Sequence, residues 1–272
     1  MEKETKPYLQ VKNEVTRLGY FQWKDIFDLE KPYEIISQAP AGITQSNFSL
    51  ALGAEETIHD LRGQEKDFNL DTHGFQILRH LLVNNIKSEE SWIEQEYLPS
   101  VDKLLKETLG DGAETFMFDW RLRSSDPAKS KRKPGAVINL NDPLLCVLPV
   151  QAVHVDQSSA GAINRVKHHM GERAKNLWRP ILYPVENYPL AVCDGRTAYI
   201  GESLYPLECP DYRCYYLNRQ TKDKVLAFKT YDSAEWVPAN CCPHTSFQQS
   251  EVPAGAKYRE SIEVRALAFT EK

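Results

Sequence analysis

Ser261-Ile-Glu-Val-Arg-Ala-Leu-Ala-Phe269 reads as the cleanest β-strand in the sequence. Apolar and β-branched residues alternate with polar ones, the period-two pattern of a strand with one face in a core. Shorter runs of the same kind precede it. Cys214-Tyr-Tyr-Leu-Asn218 and Val225-Leu-Ala-Phe-Lys-Thr-Tyr231 are split by the polar turn Arg219 to Lys224, and Ile181 to Cys193 is apolar around Pro184 and Pro189. Further upstream the period changes. Trp92, Ile93, Tyr97, Leu98, Val101, Leu104 and Leu105 recur at spacings of three and four, which predicts a helix from Ser88 to Leu109 ended by Gly110-Asp111-Gly112. A second helix is predicted from Gly161 to Leu177, rich in Lys, Arg, Ala and Glu, and Phe68 to Leu78 predicts a short strand entered through a Gly turn. Residues 1–50 read as irregular and strand-poor. Helices first and strands later predict an α+β chain whose strands form a sandwich or barrel.

Composition narrows the function classes. The chain of 272 residues is 42% hydrophobic and 10% aromatic, enough to bury a substantial core, and no linker divides it. A net charge of −5 with interspersed signs gives no basic face for nucleic acid. The one basic run, Lys129-Ser130-Lys131-Arg132-Lys133, reads as a solvated loop or an electrostatic contact to an anionic partner. No apolar stretch approaches the roughly 20 residues of a membrane span, and no leader is visible behind Met-Glu-Lys-Glu-Thr-Lys, so a cytoplasmic protein with reduced thiols is expected. Cys241-Cys242 beside His244 invite a zinc reading, but the absence of any CxxC pair argues against it.

The chemistry is carried by Val153-His154-Val155-Asp156-Gln157-Ser158. In a strand, residues two apart share a face, so His154 and Asp156 present an imidazole and a carboxylate to one point. His244 supplies a second imidazole. Two His and one carboxylate make the facial triad of non-haem iron(II) oxygenases, which leaves coordination positions open for substrate acids and O₂. Downstream of His244, the period-two strand puts Arg259, Ser261, Glu263 and Arg265 on one face. Arg259, two before Ser261, is suited to the distal carboxylate of 2-oxoglutarate, the guanidinium forking onto it and the hydroxyl donating one more bond. The alternation leaves Arg265 open to the same role, and both arginines could instead pair with Glu260 and Glu263 on a solvated face.

Five segments in order, His154-Val-Asp-Gln-Ser158, Trp178-Arg-Pro-Ile181 with Pro184 to Asp194, Phe228-Lys-Thr-Tyr-Asp-Ser233, Pro243-His-Thr-Ser-Phe247 and Arg259-Glu-Ser-Ile-Glu-Val-Arg265, resemble one family. It is the mainly fungal hydroxylase/desaturase family that includes gibberellin desaturase and relatives of the cephamycin methoxylation component. The resemblance covers roughly residues 68 to 270. It implies a double-stranded β-helix (jelly-roll) core with flanking helices, on which residues 1–67 pack as an irregular extension. It implies Fe(II) and 2-oxoglutarate as cofactors, and hydroxylation, desaturation or oxidative ring closure of a small molecule in secondary metabolism. A non-haem iron oxidase that does without 2-oxoglutarate and a non-catalytic jelly-roll binding protein stay open as alternatives.

Further basic residues are candidates for the substrate. Arg179 sits on a predicted strand that could line the cavity, or could pair with Asp194 instead. Arg121 and Arg123 alternate on another. So many cations around one cosubstrate predict a substrate that itself bears a carboxylate, because a buried guanidinium without an anion is costly. Tyr231, Trp236 and Phe247 flank the distal His as a pocket wall or as core. His73 is expected to fix a turn, and His168-His169 to lie exposed on the second helix.

Overall fold

A computed structural model describes residues 11–35, 39–82, 86–129, 142, 144–159, 161–162, 174–193 and 205–270 of the 272. The fold is mostly β-sheet, with few helices. One sheet has the order β5(Phe75–Arg79), β10(Lys224–Tyr231), β7(Ala174–Pro180), β12(Glu260–Phe269), β6(Glu114–Ser124), antiparallel throughout. The second has the order β1(Glu14–Thr16), β4(Glu56–Asp60), β9(Cys214–Tyr216), β8(Leu190–Cys193), β11(His244–Ser246), with only β4 and β9 parallel. A small pair, β2(Gly19–Phe21) with β3(Leu50–Leu52), lies beside it.

Alternation along the first sheet assigns its two faces. Ile262, Val264 and Ala266 of β12, Val225 and Ala227 of β10 and Trp120 and Leu122 of β6 pack in one cluster with Tyr97, Val101, Leu104 and Leu105. Those last residues belong to the helical stretch α2(Glu90–Trp92), a π-helical turn Ile93–Tyr97 and α3(Leu98–Leu109), which covers that face. Pro99 at the start of α3 has no N–H to return to the preceding turn, which accounts for the local loosening into a π turn. The intervening residues of the same strands, Trp178, Leu226 and Phe228, meet Leu190 and Val192 of β8 in a second cluster between the sheets. Strand β12 is therefore buried on both sides, and its polar residues Ser261 and Glu263 are sealed between the sheets, 0% and 4% exposed.

Several expectations are revised. Of the helix predicted for Gly161–Leu177, residues 161–162 are helical and residues 174–177 are not. Ala174–Pro180 is a central strand of the first sheet, where cross-strand pairing on both edges outweighs a helix-prone composition; the part from 163 to 173, with His168-His169, lies outside the described residues. Within Ile181–Cys193 only Leu190–Cys193 is strand, the two prolines preceding it. Residues 1–50 are less irregular than their composition suggests: β1 and β2 lie there and pair with β4 and β3. Cys214 is disulfide-bonded, against the expectation that every thiol is reduced; the register of β8 and β9 sets Cys193 opposite it, while Cys146, Cys209, Cys241 and Cys242 are free. Lys129 pairs with Glu260, and the rest of the basic run lies outside the described residues. No helix among the described residues is long and apolar enough to cross a membrane.

The Gly turn before β5 holds, preceded by a short helix instead of more strand. Asn69 accepts the Thr72 N–H at 2.8 Å to start α1(Leu70–His73), and Gly74 ends it at φ +84°. A Cβ on Gly74 would sit 2.7 Å from the Cys241 carbonyl oxygen, three residues before His244. Gly74→Ala combines a left-handed backbone with that clash, so a loss of about 1–3 kcal/mol is expected in denaturant unfolding. A variant unfolding at the wild-type midpoint would show that the loop yields freely.

Candidate metal centre

The triad is assembled by backbone pairing between two segments far apart in sequence. His154 and His244 exchange both backbone hydrogen bonds, 3.0 and 2.8 Å, so the 152–155 segment runs antiparallel beside β11. Val153 N–H reaches Gly19 O at 2.8 Å on the other side, tying this segment to β2. Val153 and Val155 are buried in the apolar core, which turns the alternate residues His154 and Asp156 to the site.

One donor atom each from His154, Asp156 and His244 lie within 4.8 Å of one another, the only such cluster of His, Cys, Asp or Glu among the described residues. His154 Nε2 is 3.8 Å from Asp156 Oδ1, and His244 Nε2 is 3.9 Å from Asp156 Oδ2. His154 Nδ1 lies 2.8 Å from Ala152 O and His244 Nδ1 lies 3.2 Å from Cys242 O. A carbonyl only accepts, so each Nδ1 carries the proton and each Nε2 lone pair faces the shared point. Burial, and then the neighbouring His154, hold the His244 imidazole down at about 4, so it is neutral as a metal ligand must be. Burial alone would raise the Asp156 carboxyl, but the Arg265 guanidinium beside it holds it well below the usual carboxylate range. Two imidazoles with their Nε2 atoms turned to one point and an ionised carboxylate fit a divalent first-row cation.

The candidate arginines divide by what they touch. Arg265 is committed: Nη1 donates to Asp119 Oδ2 at 2.6 Å, Nη2 and Nε reach Asp156 Oδ1 and Oδ2 at 3.1 and 3.4 Å, and Nη2 lies 2.5 Å from Glu263 Oε1. The Glu263 contact is a close ion pair without good hydrogen-bond angles. Arg265 is therefore placed to orient the metal-facing carboxylate and is not open to a cosubstrate, which corrects one expectation. Arg123 pairs with Glu263 at 2.9 Å, and Arg121 with Asp119 at 3.2 Å. Three carboxylates and three guanidiniums thus balance behind the triad. Arg179 is not brought to the site: fully buried on the helix side of β7, it lies 5.5 Å from the Tyr97 ring and donates to His80 O at 3.3 Å.

Arg259 is left over. It lines the cleft beside the triad with Trp178, Phe228, His154 and His244. Its one hydrogen-bond partner is the Tyr188 carbonyl, at 2.7 Å, with the Trp178 ring 5.3 Å away; Glu263 lines the same cleft but is paired with Arg123 and Arg265. Burial, and then Arg123, bring its guanidinium down to about 9. Arg259 Nε, Ser261 Oγ and Trp178 Nε1 are all buried without a hydrogen-bond partner. Trp178 and Tyr188 were not singled out in the sequence. Tyr188 takes φ +49°, rare for a non-glycine residue, and thereby turns its carbonyl to Arg259. Of the predicted flanking aromatics, Phe247 is core beside Tyr216, Trp236 is 58% exposed, and Tyr231 is half-buried. Another aromatic adjoins the triad instead: the Tyr205 ring lies 6.4 Å from that of His154.

A two-histidine, one-carboxylate face, half-buried and with Arg259 beside it, fits the facial metal site of mononuclear non-haem iron enzymes. A family model described as an oxidoreductase/YMDC permease-like domain matches residues 18–269. The chain is 31% identical to the Fe(II)/2-oxoglutarate-dependent dioxygenase nvfI of Aspergillus novofumigatus, over 88% of this chain and 91% of the relative. It is 26% identical to the hydroxylase/desaturase poxK of Penicillium oxalicum, over 90% and 89%. The solved structure of the iron and alpha-ketoglutarate-dependent endoperoxidase NvfI superposes with a TM-score of 0.74 at 28% identity, covering 96% of this chain and 99% of the other. The chain belongs to this fungal hydroxylase/desaturase family of Fe(II)/2-oxoglutarate-dependent oxygenases.

Proposed function

We propose that this enzyme hydroxylates, desaturates or oxidatively cyclises a small molecule of secondary metabolism, with Fe(II) on His154, Asp156 and His244. In this reading the two five-stranded sheets are the halves of a double-stranded β-helix and the chain is a single domain. When bound, Fe(II) and 2-oxoglutarate supply the oxidation, consuming O₂ and releasing succinate and CO₂ as a substrate C–H bond is oxidised. The protein's own residues hold and orient. The backbone carbonyls of Ala152 and Cys242 fix both imidazole tautomers, and Arg265 with Asp119 sets the Asp156 carboxylate. Arg259 and Ser261 take the distal carboxylate of 2-oxoglutarate, and the Trp178 face and Tyr188 carbonyl keep the guanidinium aimed.

The observation that carries this reading is the surplus of Arg259. A buried guanidinium is costly without an anion of its own, and here it hydrogen-bonds one carbonyl and faces a ring, the nearby Glu263 being held by Arg123 and Arg265, beside an unpartnered Ser261 hydroxyl. A cosubstrate carboxylate satisfies both. The test is anaerobic addition of Fe(II) and then 2-oxoglutarate, following the visible metal-to-ligand charge-transfer band. Arg259→Ala is expected to weaken 2-oxoglutarate by about one to two decades, the worth of a charged hydrogen bond of roughly 1.5–3 kcal/mol. A variant with the wild-type 2-oxoglutarate titration would remove Arg259 from this role.

A further inference from the structure

The expectation of a carboxylate-bearing substrate loses the cations on which it rested. Arg265, Arg123 and Arg121 each have carboxylates, Arg179 is on the far face of its strand, and the remaining guanidinium belongs to the cosubstrate in the reading above. What adjoins His154 away from Arg259 is aromatic. Tyr205, 6.4 Å from the His154 ring, lies 5.2 Å from Phe48 and is stacked at 6.5 Å and 18° on Phe21. Phe21 in turn meets Phe48 and Phe27, each at 5.4 Å. Phe21 and Phe27 are buried, 2% and 8% exposed, whereas Phe48 and Tyr205 keep part of their rings open. The cluster thus has a packed back and an accessible front, and the front stands against a metal-facing imidazole.

The backing comes from β2 and the residues around β3. It is held to the metal centre by main-chain bonds: Gly19 O accepts from Val153 N–H, one residue before His154. A Cβ on Gly19 would meet Gln151 O at 2.8 Å, so the approach of β2 to the triad segment depends on that glycine. Ring faces offer dispersion and quadrupole contacts to flat or cyclic hydrocarbon and no compensation for a buried carboxylate.

We propose that Phe48 and Tyr205 form the substrate wall and determine specificity, and that the substrate presents a neutral, apolar ring system to them. This rests on the iron and 2-oxoglutarate reading. The substrate stacks on the two rings with the carbon to be oxidised turned to the triad, and its orientation is set by shape and a π-face, not by an ion pair.

The test uses the full chain loaded anaerobically with Fe(II) and 2-oxoglutarate. The probes are neutral polycyclic terpenoid and aromatic ketones, each beside its counterpart bearing a carboxylate. Neutral members are expected to perturb the charge-transfer band at lower concentration than their acids. Phe48→Leu and Tyr205→Leu, which keep apolar volume but remove the ring, are expected to raise those concentrations at least tenfold while the band itself still forms. Should Tyr205→Leu not fold, Phe48→Leu and the milder Tyr205→Phe, expected to bind the ketones as wild type does, carry the test. Acids that bind as well as or better than the ketones, ketones that do not bind, or leucine variants with wild-type responses would each overturn the wall. Failure of the band to form in wild-type protein would instead overturn the underlying iron and 2-oxoglutarate reading.

Discussion

Asp156→Ala protein is expected to fold, to bind no stoichiometric Fe(II) and to turn over at less than about one hundredth of the wild-type rate. Residues that merely support a ligand typically contribute ten- to a hundredfold, so loss of the one anionic ligand should exceed that. His154→Ala and His244→Ala are expected to behave alike, because each removes an Nε2 whose orientation a backbone carbonyl has fixed. The checks are iron content after anaerobic reconstitution and O₂ consumption with succinate release. Normal iron stoichiometry and turnover in the Asp156→Ala protein would end the assignment of the triad. The charge balance supplies a further sign: with Asp156 neutral, Arg265 keeps Asp119 and Glu263, so the fold has partners for its buried cation.

Arg265→Gln reverses that situation and should be the costliest change behind the metal. The guanidinium touches Asp156, Asp119 and Glu263 at once, and its side chain is only 18% exposed. Burial opposes its charge, but these three carboxylates, Glu263 first, more than offset that and raise its basicity beyond the ordinary arginine value. Removing it leaves buried carboxylates facing one another with only Arg123 and Arg121 nearby. Breaking such a buried group by deleting one partner costs about 3–5 kcal/mol, read as a fall in unfolding free energy of the metal-free protein. Fe(II) binds the folded state and returns positive charge to Asp156. It should therefore raise the unfolding midpoint of Arg265→Gln more than that of wild type. An apo variant as stable as wild type, or one that iron stabilises no further, would show that the cluster is not electrostatically coupled to the metal position.

The two substitutions separate what the sequence carried from what it did not. Two of the three candidate metal ligands were legible because the information is local: His154-x-Asp156 in a β-prone segment puts both side chains on one face whatever the strand pairs with. The face of β12 was legible for the same reason, since Ser261, Glu263 and Arg265 follow a strict period of two next to Arg259. The helix at 90–109 announced itself by its own periodicity, and Gly110 ends it with a positive φ of 99°.

The partners of those side chains were not legible. Arg265 and Arg259 share a face and a charge, yet one sits among three carboxylates and the other against a tryptophan, a difference made by Asp119 and Tyr188 from distant segments. At Trp178-Arg179 the sequence offers a polar and an aromatic candidate side by side. The pairing of Trp178 with Glu263 and of Arg179 with Ile262 decides that the tryptophan faces the metal and the arginine faces the helix. A slip of one residue would exchange them. Likewise Ala174–Leu177 has a helix-prone composition and becomes strand because β10 and β12 pair with it on both edges. Local periodicity determined which side chains share a face, and so set His154 beside Asp156; His244 joined them only through the pairing of distant segments. Which charge is neutralised, and which side chains adjoin the triad, depended on long-range register, because burial and ion pairing are properties of neighbours that the chain meets only once folded.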